Sequence, residues 1–421
     1  MNLRSKLFGD AAIYMVGNAL NAGIPFLLMP ILTRVLTPAD YGVVAMFGLV
    51  VAVMSAFTGL SVHGVVSVRY FQLKKIELAG YIGTCVAILI ISTGIALVFV
   101  AAFGSLLTSV LGVPKNWLLI ATLISGFQFL SNIRLALWQV SGQAGKYAAF
   151  QVAQSLLNAV FSLILVLMVG MAWEGRVLGQ SVAIAIFGFI SILFLLREGQ
   201  IVRPTNWKTD AGDALRYGVP LLPHAIGGVA MVMGDRFIIE SQLGASDVGI
   251  YMAAIQISLG LTLIYDSLFK SWHPKIMKLG VVPEGGAKSA SLVLMVYKII
   301  GVCFLVMTFY CLLAWIAYPY VVGESFAGGR KLIIFMAISS FFTSCYYATA
   351  IFISLANRNE LLALNTFLSG AVSLVASYFL CINFGLVGVS VGLLLGQFLS
   401  FVLCWYSANL VYPLPWLKAI R

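Results

Sequence analysis

The sequence predicts an all-α protein that crosses a membrane twelve times. Of its 421 residues, 61% are hydrophobic and only 9% are charged, whereas a soluble domain carries about 25% charged residues. Its apolar runs have the length of roughly 20 residues that a helix needs to cross a hydrocarbon core of about 30 Å. A helix also satisfies its own backbone hydrogen bonds where no water is present.

Twelve apolar runs follow one another along the chain. The predicted spans are residues 11–33, 41–66, 79–103, 117–141, 147–171, 176–196, 214–239, 248–267, 290–317, 331–355, 361–382 and 386–407. The first run is too long for a signal peptide and lacks a small-residue cleavage site, so we expect it to stay attached. All six cysteines fall inside spans at spacings that suit no metal, and we expect neither a metal nor another cofactor.

Basic residues predict the orientation of the chain. If the N-terminus is cytoplasmic, 17 of the 25 Lys and Arg residues lie in inner segments and five in outer ones. This bias predicts that both termini are cytoplasmic. It also accounts for most of the net charge of +11, so a nucleic-acid partner is not needed to explain the basic composition.

A repeat divides the chain into two halves. Leu36, Asp40 and Gly42 recur as Leu243, Asp247 and Gly249 at an offset of 207 residues. Both copies fall in the outer turn after an odd-numbered span, where aspartate can cap the next helix. Six spans per half is an even number, so we expect two like-oriented six-helix lobes around a central cavity, residues 1–196 and 214–421, joined by a basic cytoplasmic linker, 197–213.

Prolines occupy matching places in the two halves. Pro25 and Pro30 lie in the first span, and Pro220 and Pro223 lie in the seventh. Each proline removes a backbone donor and bends its helix. The pairing predicts hinges in two helices that line a cavity, although simple packing kinks are equally compatible with it.

Four stretches resemble the polysaccharide flippases of the Wzx or O-antigen type, which belong to the multidrug/oligosaccharidyl-lipid/polysaccharide exporter superfamily. They are "LMPILTRVLTPADYG", "GLSVHGVVSVRYF", "WEGRVLGQ" and "GVPLLPHAIGGVAMVMGDRFIIESQLGASDVGIYMAA". The similarity runs through most of the chain and rests on spacing, with no single diagnostic motif. It implies two lobes whose first, second, seventh and eighth helices line the gap between them.

The resemblance also implies a function. A flippase of this type moves a lipid-diphosphate-linked oligosaccharide, the repeat unit of a polysaccharide such as the O-antigen of lipopolysaccharide, from the inner to the outer leaflet by alternating access. It is a transporter and not an enzyme. The implied location is the bacterial cytoplasmic (inner) membrane, and the implied partners are the glycolipid, membrane lipids and polysaccharide assembly proteins, with no nucleic acid.

A diphosphate that moves through a low-dielectric passage needs cations along its path, because an unpaired anion there costs several kcal/mol. The basic candidates on helices that the resemblance places at the cavity are His63 and Arg69 in or just after the second span, Arg216 and Arg236 in the seventh, and Lys270 after the eighth. His63 and Lys270 are related by the repeat offset of 207 residues. Ordinary anchoring at the interface is the alternative for Arg69, Arg216 and Lys270.

Polar residues inside the spans give further candidates. Asp235, beside Arg236, is either a site at the mouth of the cavity or a headgroup contact. His224 shares a helical face with Asp235, so the two could couple proton movement, unless His224 only packs. Asn18 and Asn21 follow a helical stripe in the first span and are candidates for sugar contacts.

Similar polar stripes run along the fourth and fifth spans. Their members are Ser125, Gln128, Asn132 and Gln139, and then Gln151, Gln154, Asn158 and Ser162. We expect most of these side chains to hold helices together by hydrogen bonds.

Two other functions share this length and hydropathy. A multidrug or cation antiporter of the same superfamily needs buried carboxylates, but the acidic residues of the N-terminal half all lie at span ends. A membrane polymerase or ligase acting on lipid-linked sugars usually carries a sizeable outer loop, and the outer connections here are short. The P-loop pattern of an ATPase is absent from the sequence.

Overall fold

The computed structural model describes residues 3–204, 206–280 and 286–416, with side chains from residue 12 onward except at 205, 274, 278–289 and 417–421. The end of the predicted cytoplasmic tail, residues 417–421, lies outside the described residues. The regular structure of the described residues is helical throughout.

Thirteen α-helices follow one another in the described part of the chain. They are α1 (Leu3–Val35), α2 (Pro38–Phe57), α3 (His63–Arg69), α4 (Lys75–Leu111), α5 (Lys115–Val140), α6 (Ala144–Leu163), α7 (Trp173–Arg197), α8 (Trp207–Gly218), α9 (Leu222–Gln242), α10 (Ala245–Gly280), α11 (Gly286–Val321), α12 (Leu332–Leu355) and α13 (Asn359–Val411). A π-helical turn, Ile164–Met168, extends α6, and 3-10 turns precede α9 and α12.

The last two predicted spans are the two arms of α13. At about 1.5 Å per residue, a straight helix of 53 residues would be far longer than a bilayer is thick. The helical path breaks at Gly385, which has φ 56° and ψ −138°. Ser377 Oγ donates to the Val389 carbonyl at 3.3 Å, and Asn365 Nδ2 donates to Ser407 Oγ at 3.0 Å. These pairings are antiparallel, so the arms fold back on each other.

With α13 counted as two, the eleven helices of the described chain that are long and apolar enough to cross a membrane become twelve spans. The count agrees with the sequence prediction. The boundaries differ most in the second span, which is interrupted.

The connection between α2 and α3, residues 58–62, breaks the second predicted span. Gly59, Leu60 and Ser61 have φ values of 76°, 49° and 58°, and residues other than glycine rarely adopt such values. The Gly59 N–H donates to Ser92 Oγ at 2.8 Å. A helix can break at membrane depth only where the protein satisfies the freed backbone groups in this way.

The repeated outer turn starts a helix, as the sequence indicates, but Asp40 shares the capping role with Thr37. Thr37 is the N-cap of α2, and its Oγ1 accepts from the Asp40 N–H at 3.1 Å. Asp40 returns the contact, since its Oδ2 accepts from the Thr37 N–H at 3.0 Å. The two residues form a capping box in which aspartate is the third helical residue.

The contacts of the chain divide it into two compact units, Met1–Ser241 and Gln242–Arg421. In the first unit, α1 packs on α6, α5 and α6 pack on α7, and α8 packs on α3 and α4. In the second unit, α12 packs on α10, α11 and α13. Residues 214–241 thus group by contact with the first unit, whereas the sequence repeat assigns them to the second lobe. The lobe boundaries of the repeat stay a prediction.

Candidate functional site

Tyr14, Gly17 and Asn21 lie on the face of α1 that packs against α6. A Cβ built on Gly17 would lie 2.6 Å from the Ala148 Cβ, so the missing side chain allows the two helices to approach closely. The Tyr14 and Tyr147 rings meet edge to face with centroids 5.1 Å apart. One turn beyond Gly17, Asn21 accepts a hydrogen bond from Ser155 Oγ of α6.

A second close approach brings α7 to α6. A Cβ on Gly179 would lie 2.5 Å from the backbone nitrogen of Ser162, so residue 179 must be small for the helices to pack as they do. The next residue along α7, Gln180, thereby reaches the polar face of α6. The polar side chains of α1, α5, α6 and α7 converge because of these two contacts.

The convergence forms an amide cavity of about 250 Å³ inside the first unit. It is lined by Asn21, Gln128, Asn132, Leu135, Gln151, Gln154, Ser155, Asn158, Gln180, Ala183 and Ile184. Seven of these eleven side chains are amides, and an eighth is a hydroxyl. None of the described lining residues is charged.

Hydrogen bonds connect part of the cavity wall. Gln128 Nε2 donates to Asn132 Oδ1 at 3.1 Å, and Gln154 Nε2 donates to Gln128 Oε1 at 3.3 Å. Gln151 Nε2 donates to Tyr147 OH at 3.3 Å, while its Oε1 is buried with no hydrogen-bond partner among the described residues. Each amide offers two donors and two lone pairs, so the wall keeps donors and acceptors for a polar ligand.

A cation lies beside the cavity. Arg176 Nη1 donates to Asn158 Oδ1 at 2.6 Å and to Ser162 Oγ at 2.9 Å. Both acceptors are neutral, so within the described chain these contacts orient the guanidinium without neutralising it. The sequence placed Arg176 only among the outer basic residues.

The predicted cation Arg69 is already paired. Its Nη2 lies 2.5 Å from Asp213 Oδ1, and its Nε donates to Asp213 Oδ2 at 3.0 Å. Tyr81 OH donates to the same Oδ2 at 2.7 Å, and Arg69 also contacts Gln72. The hydrogen bond to Asp213 raises the pKa of Arg69. The ion pair joins α3 to α8. Because Asp213 balances its charge, Arg69 attracts an anionic ligand less strongly than a free arginine would.

The other basic candidates differ in exposure. Arg216 lies on α8 and Lys270 on α10, and both are exposed. Arg236 is half-buried, with its Nε lacking a partner among the described residues. His63 begins α3 against the Phe129 ring, at 5.4 Å between centroids, and its Nδ1 is buried without a described partner.

The remaining candidates fall at different exposures. Asn18 is exposed and does not line the amide cavity, unlike Asn21. Asp235 is half-buried and accepts from the Arg236 N–H at 2.8 Å. His224 is exposed on the same helix, α9. Their proposed coupling role stays a prediction.

The prolines behave differently in the two helices. The chain is α-helical through Pro25 and Pro30 in α1. In the seventh span, a 3-10 turn, Val219–Leu221, contains Pro220 and separates α8 from α9, which carries Pro223 near its start. Proline has no backbone N–H, so the α-helical hydrogen bonding can be interrupted at this position. A hinge role stays a prediction for all four prolines.

Three contributors to these sites were missed at the sequence level. Gln180 lacks a stripe of its own, and Asp213 and Tyr81 are far from Arg69 in sequence. The sequence did contain one signal for the ion pair. Asp213 is a carboxylate within a basic inner segment, and charges near a membrane interface tend to pair.

Solved structures share this fold. An inward-facing multidrug resistance MATE family transporter of the MOP superfamily aligns over 94% of this chain and 94% of its own, with a TM-score of 0.68 and 14% identity. The lipid II flippase MurJ in an inward closed conformation aligns over 96% of this chain and 87% of its own, with a TM-score of 0.67 and 12% identity. The protein is thus a multi-pass membrane protein with the fold of the MOP transporters.

The sequence relationship is more specific. The family model described as "Polysaccharide biosynthesis protein" matches residues 7–279. The "Lsg locus putative protein 1" of Haemophilus influenzae is 25% identical over 399 residues, which cover 91% of this chain and 95% of that protein. The chain belongs to the polysaccharide biosynthesis protein family.

Two predictions from the sequence are confirmed by these findings. One is the fold class, an all-α membrane protein with twelve transmembrane helices in two lobes. The other is the resemblance to polysaccharide flippases of the exporter superfamily. The two structural neighbours are a multidrug transporter and a lipid II flippase.

Proposed function

We propose that this protein is a flippase that moves a lipid-diphosphate-linked oligosaccharide from the inner to the outer leaflet of the bacterial cytoplasmic membrane. The observation that carries the proposal is the amide cavity within the membrane-spanning helices of the first unit. A cavity of neutral donors and acceptors suits a glycan, whose hydroxyls both donate and accept. The seven lining amides are half-buried, and withdrawing so many amides from water for packing alone would be costly without ligands or water to satisfy them.

The cavity composition also separates this function from its main alternative. A multidrug or cation antiporter needs carboxylates to hold a cation in a low-dielectric site. The described lining residues are amides, a hydroxyl and apolar groups, and one of them, Asn158, accepts a hydrogen bond from the cation Arg176. Both features favour a neutral or anionic glycan over a cationic drug.

The diphosphate part of the substrate needs cations elsewhere on the path. Arg69, Arg216 and Lys270 are the proposed contacts, and Arg236 and His63 are further candidates. To bind the phosphate, Arg69 would have to release the Asp213 carboxylate. The ion pair would therefore open during the transport cycle. O-antigen precursors of lipopolysaccharide are the proposed cargo class, and polysaccharide assembly proteins are the proposed partners.

A deletion strain tests the proposal. Loss of the protein should leave the lipid-linked oligosaccharide in the inner leaflet, measured by its protection from an impermeant sugar oxidant. Restoring the chain with Gln128→Leu plus Asn132→Leu should lower export about ten-fold or more, since each lost hydrogen bond to a buried ligand is worth about 1 kcal/mol and the cavity turns apolar. Gln139→Leu is the matched control, because Gln139 lies on the same helix but is exposed and outside the cavity.

The cationic path has its own test. Arg216→Gln and Lys270→Gln should reduce export at normal protein levels, and Arg216→Lys should be milder if only charge matters. Lys275→Gln serves as the control, since Lys275 is an exposed cation on the same helix as Lys270. Unchanged export in all of these variants, together with normal glycolipid distribution in the deletion strain, would refute the proposed function.

A further inference from the structure

A second cavity lies at the C-terminal end of α5 and is separate from the amide cavity. It measures about 430 Å³, and its lining includes Tyr70, Lys75, Arg134, Trp138, Gln143 and Gln200. No residue lines both cavities. The basic-residue distribution assigns this end of the helices to the cytoplasmic side. We refer to it as the Arg134 pocket.

Arg134 is held rigidly in the wall of this pocket. Its side chain is 1% exposed, and its Nη1 donates to Gln200 Oε1 at 2.6 Å. Its Nη2 donates to Glu198 Oε1 at 2.8 Å. The guanidinium carbon lies 4.2 Å from the centroid of the Trp138 ring, so the group is fixed by hydrogen bonds on one side and an aromatic face on the other.

Two donors of the pocket wall remain unused. Arg134 Nε and Trp138 Nε1 are both buried without a hydrogen-bond partner among the described residues. Both residues are more than nine-tenths buried. Lys75, the first residue of α4, adds an ammonium group to the same pocket. Buried polar groups are nearly always paired in folded proteins, so the two orphan N–H groups indicate an acceptor that the chain itself does not supply.

The pocket therefore selects for an anion rich in oxygen acceptors. Both unused groups are donors, and Lys75 adds a positive charge to the same wall, although Glu198 partly balances the charge of Arg134. Phosphate oxygens are the usual partners of such a set. The wall also contains aliphatic side chains, with Leu73, Leu78 and Leu137 among them. A ligand that combines a phosphate with an apolar tail matches both parts.

We propose that the Arg134 pocket binds the phosphate group of an anionic membrane phospholipid, whose acyl chain lies against Leu73, Leu78 and Leu137. The lipid accepts hydrogen bonds from Arg134 Nε and Trp138 Nε1 and pairs with Lys75. Glu198 keeps the guanidinium oriented, in the way that a carboxylate partner fixes a phosphate-binding arginine. The proposal is independent of the transported substrate, since it uses none of the residues of the amide cavity.

Native mass spectrometry of the purified full-length protein tests the site. The probes are phosphatidylglycerol and a diacylglycerol with the same acyl chains and no phosphate, each added at equal concentration. The wild-type protein should retain the phospholipid in preference to the diacylglycerol. Trp138→Phe removes one N–H and keeps an aromatic ring for Arg134, and Lys75→Gln removes one charge. Each should reduce the preference roughly ten-fold, the equivalent of one hydrogen bond to a charged group.

Two control variants make the result specific. Trp117→Phe and Lys146→Gln change the same residue types on α5 and α6, outside the pocket, and should keep the wild-type preference. Equal retention of phosphatidylglycerol by the pocket and control variants would overturn the proposal. Inorganic phosphate distinguishes the sources of the anion. If it raises the melting temperature of the wild-type protein but not of Trp138→Phe, while no phospholipid preference exists, the pocket is a free-phosphate site and the lipid assignment is wrong.

Discussion

The packing of α1 on α6 can be tested with two glycines of the same helix. A Cβ on Gly17 would lie 2.6 Å from the Ala148 Cβ, whereas a Cβ on Gly23 would meet nothing within 4 Å. Carbon atoms in contact are separated by about 3.5–4.0 Å. Gly17→Ala therefore requires α1 and α6 to move apart by about 1 Å, while Gly23→Ala requires no movement.

The two substitutions have opposite expected effects on stability. Alanine stabilises a helix by about 0.5–1 kcal/mol relative to glycine, and this gain applies equally at both positions. Overpacking costs about 1–3 kcal/mol and applies only at Gly17. The difference between the variants is then the overpacking term, so Gly17→Ala should be less stable than Gly23→Ala by about 1–3 kcal/mol.

Thermal unfolding of the two purified variants in one detergent measures this difference. Gly17→Ala should melt below Gly23→Ala, and Gly23→Ala should melt at or above the wild type. Export should fall in Gly17→Ala, because Asn21 lies one turn away and would move off Ser155. A melting temperature of Gly17→Ala equal to or above that of Gly23→Ala would refute the close contact, and with it the way α1 contributes to the amide cavity.

Three further predictions follow from single features of the chain. A double-mutant cycle with Arg69→Gln and Asp213→Asn should give a coupling of about 1 kcal/mol, since both side chains are partly exposed; independent effects would contradict the ion pair. Gly385→Ala should destabilise the protein by about 1–3 kcal/mol because of its backbone conformation, whereas Gly301→Ala, in an open helical position, should not; equal melting temperatures would show that the turn tolerates a side chain. Pro220→Ala should restore a backbone donor and slow export more than it reduces the amount of inserted protein, and export at the wild-type rate would exclude a hinge there.

The sequence by itself determines the spans and several contributors to the candidate site. Hydropathy is a property of consecutive residues, so runs of apolar residues are visible without knowledge of packing. The stripes of Asn21, Gln128 and Gln154 are visible for the same reason, because helical periodicity places each set on one face. The family resemblance adds the two-lobe arrangement, since it depends on spacing along the chain.

The tertiary structure decides how those faces meet. The sequence predicts that the stripes of the fourth and fifth spans hold helices together, but not that Asn21 and Gln180 join them around a cavity. That arrangement depends on the close approaches at Gly17 and Gly179, where the absence of a side chain matters only once the neighbouring helix is known. The rotation of a helix about its axis is set by such contacts, which are distant in sequence.

The same reason explains the charges. The positive-inside bias predicts that Arg69 lies at the membrane interface but cannot show that Asp213, 144 residues away, holds it. In the sequence, Arg134 is a basic residue inside the fourth predicted span, but only the structure shows that it is buried and paired with Glu198. Charge and hydropathy are fixed by the order of residues, but the partner of each charged group is fixed only when the helices pack.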